Sequence, residues 1–368
     1  MKWRKRKVEK MKKVKKLAIL FLTMVMAAAM LTGCGDSATE SGTEDSGEKT
    51  TLKVGMAGKD IKTVCVILAQ ELGYYEEEGL DVQFETVANL NDGVTALSQN
   101  KLDVLPFGFI PSATFISQGA DVEIIGGTIS EGSQAIVTKE NKDMIQELED
   151  FQGKRVGFMR PETGQIIMKS LIREAGLDLE DDVEFIAMDS FASIAEGVSK
   201  GEIDIGFVNS NYGYVAQQSG LAIAFDVGDY APDTVCCRQT ASRDAVENKR
   251  DALVSFEIAN LRAYETYLND RETTIQTLME YSGQDEGYVE AAMYNGVMIP
   301  GLDPNTNKIE EMYEAMKANG DIDADTEVDI ADYVDSTIYK DALDAMKDRF
   351  EDKALYDKLL AEYEENNL

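Results

Sequence analysis

The sequence predicts an α/β protein of two lobes, with mostly parallel sheets flanked by helices and two crossover strands between the lobes. Strands and helices alternate at the spacing of βαβ units, which gives parallel pairing through right-handed crossovers. The pattern is also stated twice. Val54-Gly55-Met56 is answered by Val156-Gly157-Phe158, Gly79-Leu80-Asp81 by Gly176-Leu177-Asp178, and Leu102-Asp103-Val104 by Ile203-Asp204-Ile205. Gln118-Gly119-Ala120 and Ser219-Gly220-Leu221 close the two units in the same order. Two like-built units in one chain make two lobes, and the cleft between them is a natural place for a small molecule.

Residues 1–33 read as a leader. A basic segment, Lys2 to Lys16, precedes an apolar run from Leu17 to Met30, too short to span a bilayer and right for a signal-peptide core. The run ends at Leu31-Thr32-Gly33-Cys34, which resembles the lipobox of bacterial lipoproteins; that resemblance implies cleavage before Cys34 and a lipid anchor on it. Residues 34–50 are polar and read as a flexible tether. The expected localisation is the extracytoplasmic face of the cell membrane.

In order after the tether, strands are expected at 52–56, 82–87, 102–106 and 122–127, with helices at 63–75, 91–99 and 112–118. In the first helix Val64, Ile67, Leu68 and Leu72 form one apolar stripe. The first crossing is placed at 135–139, a short helix at 141–150, and second-unit strands at 155–159, 183–187 and 203–208. The return crossing is placed at 234–240, followed by a helical tail with helices at 252–268, 271–281, 286–294, 308–318 and 339–363. Residues 51–137 and 239–368 therefore form lobe 1, and 138–238 form lobe 2.

Composition narrows the chemistry. The chain carries a formal net charge of −32, and the leader holds ten of its Lys/Arg residues and one Glu, so the remainder is near −41. Such a field argues against nucleic acid as a partner. There is no histidine, which removes Ser-His-Asp and Cys-His catalysis and His-ligated metals. Cys65 sits in an apolar helical run, and Cys236 and Cys237 are adjacent in a strand, where side chains are expected on opposite faces as buried thiols. No cofactor or metal is expected: Asp321-Ile322-Asp323-Ala324-Asp325 lacks the Gly and the terminal Glu of a calcium loop and reads as an acidic turn. Trp3 lies in the leader, so a Trp-lined cage is excluded.

Gly73-Tyr74-Tyr75-Glu76-Glu77-Glu78-Gly79-Leu80-Asp81-Val82 resembles the "GYF-x-x-x-GLDV" signature of solute receptors with the type II periplasmic-binding-protein fold. Phe151-Gln152-Gly153-Lys154-Arg155-Val156-Gly157 resembles the family's "L-x-GK-x-V-G", and Gly201-Glu202-Ile203-Asp204 its "G-E-x-D". This group binds nitrate, sulfonates, taurine and thiamine precursors. The resemblance implies a monomeric receptor that closes on a small organic molecule and delivers it to an ABC permease in the membrane. A ligand sensor or partner-binding module of the same fold is the alternative. An enzyme like the family's fungal pyrimidine synthase is disfavoured, because that enzyme uses a histidine this chain lacks.

Ligands of open parallel sheets bind beyond the carboxyl ends of the strands. The loops there offer Lys59 and Asp60; Phe107, Gly108, Phe109 and Ser112; Ser130 and Glu131; Thr163, Gly164 and Gln165; and Asn209, Asn211 and Tyr212. Thr163-Gly164-Gln165 opens a helix, which suits either an oxyanion or an ordinary N-cap. The asparagines and Ser112 fit directional hydrogen bonds or turn caps, and the aromatics fit stacking or core. Glu131 would select a cation; Lys59 and Arg160 would pair with an acid, or lie solvated.

Overall fold

The computed structural model describes residues 49–160, 162–349 and 354–368. The expected leader, Cys34 and nearly all of the tether lie outside these residues. The first half of lobe 1 runs β1 (Thr50–Met56), α1 (Val64–Glu71), α2 (Tyr74–Glu77), β2 (Leu80–Thr86), α3 (Leu90–Ser98), β3 (Val104–Leu105), α4 (Phe109–Ser117) and β4 (Val122–Glu131). Gly79, at φ 79°, makes the left-handed turn into β2 that an L side chain resists. The chain then enters β5 (Ser133–Val137), β6 (Arg155–Phe158), α5 (Thr163–Glu174), β7 (Glu184–Ala187), α6 (Phe191–Lys200), β8 (Ile205–Asn209), α7 (Ser210–Gln218) and β9 (Ala222–Asp226). It returns through β10 (Val235–Ser242), α8 (Arg243–Asn248), α9 (Arg250–Asn269), α10 (Arg271–Ser282), α11 (Glu286–Met293), β11 (Met298–Pro300), α12 (Thr306–Ala318), α13 (Thr337–Arg349) and α14 (Ala354–Asn367).

The strands form two sheets, β11-β4-β10-β3-β1-β2 and β7-β6-β8-β5-β9. β1 pairs parallel with β2 and β3, and β6 pairs parallel with β7 and β8. Between the third and fourth strands of each unit lies an antiparallel strand: β10 between β3 and β4, β5 between β8 and β9. Each unit thus keeps its four parallel strands and takes in one from the crossing, so the sheets are mixed rather than purely parallel. The passages occur earlier than the sequence indicates. β5 lies wholly in the second sheet and β10 wholly in the first, so the chain changes sheet at Gly132 and across 227–234. The expected boundary at 137/138 falls at the end of β5 and the one at 238/239 inside β10, because an apolar crossing strand reads alike from either side.

The repeat is carried by matched side chains. Asp103 Oδ2 accepts from the Lys53 backbone N–H at 2.7 Å, and Asp204 Oδ2 accepts from Arg155 N–H at 2.9 Å. Asp103 N–H donates back to Lys53 carbonyl at 2.8 Å, and Asp204 N–H to Arg155 carbonyl at 2.9 Å. Each aspartate locks the first strand of its unit to the start of the third.

The helical tail packs on the first sheet. Phe256, Leu261, Tyr339, Met346 and Tyr356 join Leu52, Val54, Ile67 and Leu68 in one core, where Tyr75 stacks on Phe256 at 4.9 Å. α12 covers the other face with Ile309, Met312 and Met316 against Phe109 and Ile124. Each large apolar side chain buried this way contributes about 1.5–3 kcal/mol. One expected element differs. The helix at 141–150 is two short 3-10 turns, because Asp150 accepts from Gln146 and Glu147 N–H and restarts the chain there. The tail helix expected at 339–363 is helical on both sides, as α13 and α14, and residues 350–353 between them lie outside the described residues.

Candidate functional site

A cavity of about 200 Å³ opens between the two sheets. From the first lobe it is lined by Ala57, Asp60 and Lys62 after β1, Leu90 after β2, Phe107, Gly108, Ile110 and Pro111 after β3, and Cys236 and Cys237 on β10. From the second it is lined by Ser133 on β5, Met159, Glu162 and Thr163 after β6, Phe191 after β7 and Asn209 at the end of β8, with Gly132 at the crossing. Every parallel strand named here presents its carboxyl end, as the topology requires.

The helix start read as suiting either an oxyanion or an ordinary N-cap already holds a carboxylate. Glu162 is the N-cap of α5; its Oε2 accepts from Gln165 N–H at 2.9 Å, and its Oε1 accepts from the Ser133 hydroxyl. Free donors at a helix N-terminus attract negative charge, and here the chain supplies its own. Gly164 permits the approach of β5, since a Cβ there would lie 2.5 Å from Ser133 Cβ. Lys62, half-buried, is the balancing cation. Burial pulls its ammonium down, but Cys236, Asp60, Cys237 and Glu162 outweigh burial and hold it above its ordinary range. Among the described residues, Lys62 Nζ makes no hydrogen bond or ion pair, while Asp60 Oδ1 is engaged by Lys62 N–H at 2.8 Å.

Cys236 and Cys237 do not point to opposite faces. The pairing of β10 with β4 slips between Val235 and Cys237 and again between Cys237 and Arg238. This bulge leaves Cys236 without a ladder partner and brings the two sulfurs to 3.6 Å, both on the cavity wall. The hydrogen bond from Cys237 lowers Cys236 to about 7 against the upward push of burial, with Lys62 assisting; the same bond and burial push Cys237 up.

Of the residues singled out in the sequence, Asp60, Phe107, Gly108, Thr163 and Asn209 come together on this cavity. Asn209 Oδ1 caps α7 by accepting from Tyr212 N–H at 2.9 Å, and its side-chain NH2 makes no hydrogen bond among the described residues. The others lie elsewhere. Lys59 is exposed, 4.4 Å over the Tyr281 ring. Phe109 is fully buried core, and Ser112 is tied to Thr240 Oγ1 at 2.8 Å in the interior. Ser130 is in the β4 ladder with Val235 and Ile299. Glu131, at φ 60°, accepts from Asp233 N–H at 2.9 Å and so clasps the two crossings together. Gln165 and Asn211 are buried outside the cavity lining, and Tyr212 packs beside Phe191 at 5.8 Å. Lys62, Glu162, Ser133, Met159, Phe191 and the thiol pair were not foreseen. Glu162 had one usable sign: an acid directly before Thr-Gly-Gln at a helix start is an N-cap with a strong acceptor.

Two lobes whose strand ends face one another across a cavity define the periplasmic-binding-protein fold. The ligand-binding component of an ABC-type import system from Staphylococcus aureus superposes with a TM-score of 0.66 at 15% identity, over 80% of this chain and 99% of that one. The chain belongs to the NMT1/THI5-like family, whose model matches residues 61–274. A binding protein of Brucella abortus is 23% identical over 248 residues, 67% of this chain and 76% of that protein. The 4-amino-5-hydroxymethyl-2-methylpyrimidine phosphate synthase of Schizosaccharomyces pombe is 29% identical over 141 residues, which is 38% of this chain and only 39% of the synthase.

Proposed function

We propose that the chain is the solute-binding component of an ABC importer, held outside the cytoplasm by a lipid on Cys34, with lobe 1 formed by residues 51–131 and 235–368 and lobe 2 by 132–234. The observation that carries this reading is a cavity lined by both lobes, with a Lys62 ammonium that makes no hydrogen bond among the described residues and a carboxylate at Glu162. The neighbouring acids and thiols keep this ammonium charged, and its unused donors are free to meet an acidic group on a ligand. Glu162 on the helix start favours a ligand that brings an amino or amidino N–H. Leu90, Phe107, Ile110, Met159 and Phe191 provide an apolar body for it. A small molecule with an acid at one end and a nitrogen donor at the other, or an aminopyrimidine, fits this better than an inorganic oxyanion.

Calorimetric titration with taurine, simple alkanesulfonates and aminopyrimidines tests the reading, alongside native mass spectrometry of the purified protein. Lys62→Met is expected to weaken an acid-bearing ligand by about tenfold to a hundredfold, and Glu162→Gln to weaken an amine-bearing one similarly. Affinity unchanged in both variants removes the cavity as the site. Labelling with a radioactive fatty acid, lost in Cys34→Ala, tests the anchor. The synthase of Schizosaccharomyces pombe matches only 38% of this chain, and the sequence holds no histidine to shuttle protons near neutral pH, which favours the binding reading.

A further inference from the structure

We propose that Cys236 and Cys237 are a redox-active dithiol in the cavity wall, converted reversibly to a vicinal disulfide by a low-molecular-weight disulfide. The sulfurs lie 3.6 Å apart, face a cavity that a small reagent can enter, and sit on a bulge that frees Cys236 from the ladder. Lys62 is the cation nearest in effect to Cys236 and favours its thiolate, and Cys236 is the more exposed of the two. Cys65, the remaining described cysteine, is closed off in the first-lobe core.

The step balances without a metal. Cys236 thiolate attacks one sulfur of the small disulfide, forming a mixed disulfide and expelling a thiolate. Cys237 then gives up its proton and attacks the Cys236 sulfur, breaking the mixed disulfide and expelling the second thiolate. The protein loses two electrons and two thiol protons, and the reagent becomes two thiols. Adjacent residues hold their Cα atoms about 3.8 Å apart, short of the ~4.4 Å lower limit for relaxed disulfides. The bridge is therefore strained and easily reduced, which makes the change reversible rather than structural. Oxidation also removes one negative neighbour of the Lys62 ammonium, leaving Asp60 and Glu162, so it alters the charge a ligand meets. The chemistry is independent of which solute the cleft holds, so its failure and a failure of the transport reading are separable.

The test treats the full chain with glutathione mixtures of graded oxidised fraction and maps the peptide carrying both cysteines by mass spectrometry. The expected result is a loss of about two mass units, reversed by reduced glutathione, while Cys65 stays reduced. Cys237→Ser should stall as a glutathione adduct on Cys236, and Cys236→Ser should react at least about tenfold more slowly. In the Cys237→Ser background the adduct rate should rise with pH as Cys236 ionises, and Lys62→Met should shift that rise upward. The proposal is overturned if the wild-type pair stays reduced in excess oxidised glutathione, if Cys65 is oxidised at the same poise, or if Cys236→Ser reacts as fast as Cys237→Ser.

Discussion

Glu257 on α9 has no exposed surface, and neither of its carboxylate oxygens makes a well-formed hydrogen bond, although Gln239 and Asn260 stand beside it. Burial raises it from its ordinary 4.5 to about 8, with Gln239 and Asn260 opposing weakly. The folded chain keeps this proton up to about pH 8, whereas the unfolded chain releases it near 4.5. Between those values the native state binds more protons, so stability falls as pH rises through the window and levels off above it. The full effect is on the order of 4–5 kcal/mol. Glu257→Gln should flatten that slope and raise the urea midpoint at pH 8 while leaving it nearly unchanged at pH 4.5. A midpoint that falls at pH 8 in the variant would show a carboxylate doing favourable work there. Gly127 makes a second residue-level prediction. A Cβ on it would lie 2.3 Å from the Asp303 carbonyl oxygen and 2.6 Å from that of Gly301. That backbone is held by Arg238, whose Nε donates to the Pro304 carbonyl at 2.7 Å and whose Nη1 donates to the Cys237 and Ile129 carbonyls. Nothing there yields cheaply, so Gly127→Ala should cost about 2–4 kcal/mol in chemical denaturation.

Asp103 and Asp204 act between elements, and their likeness gives a paired prediction. Asp103→Ala and Asp204→Ala each remove a charge-assisted bond to a strand N–H, at about 1.5–3 kcal/mol. Asp103 should cost more. Its side chain is 11% exposed and pairs with Lys249 at 2.8 Å, against 25% for Asp204, whose partner Arg155 is more exposed still. Equal midpoints would mean the bonds to the strand N–H groups carry all of the effect. These aspartates also mark what the sequence makes legible. A repeat preserves the residues that tie strands together, so β1–β4, β6–β8 and the strand-end loops follow from periodicity. The crossing strands do not, because nothing in an apolar run states which sheet it joins. Cys236 and Cys237 were misread for a related reason: alternation holds only along a regular ladder, and a bulge cancels it. Phe109 and Ser112 were misassigned because helix α4 begins at Phe109 and turns both inward, leaving Phe107, Gly108, Ile110 and Pro111 on the cavity.

For the whole molecule, the lobes are touched together at both rims as well as joined by the crossings. Arg173 Nη2 on α5 donates to Asn319 Oδ1 at 2.8 Å, and Tyr214 on α7 meets Tyr288 on α11 edge-on at 6.3 Å. A ligand that binds between the lobes adds to these contacts, so its capture should raise the thermal midpoint in proportion to the logarithm of its concentration. A midpoint indifferent to a ligand that calorimetry shows to bind would place that ligand on the outer surface. The interleaving of strands has a further consequence for how the chain matures. As it emerges from the ribosome or a translocation pore, β3 and β4 have no shared partner until β10, more than a hundred residues later, slides between them. The later-made lobe, continuous from β5 to β9, can finish its sheet while the earlier one waits with β3 bare on one edge and β4 on both. Birth order and completion order are therefore reversed, and the half synthesised first is the one most in need of a chaperone.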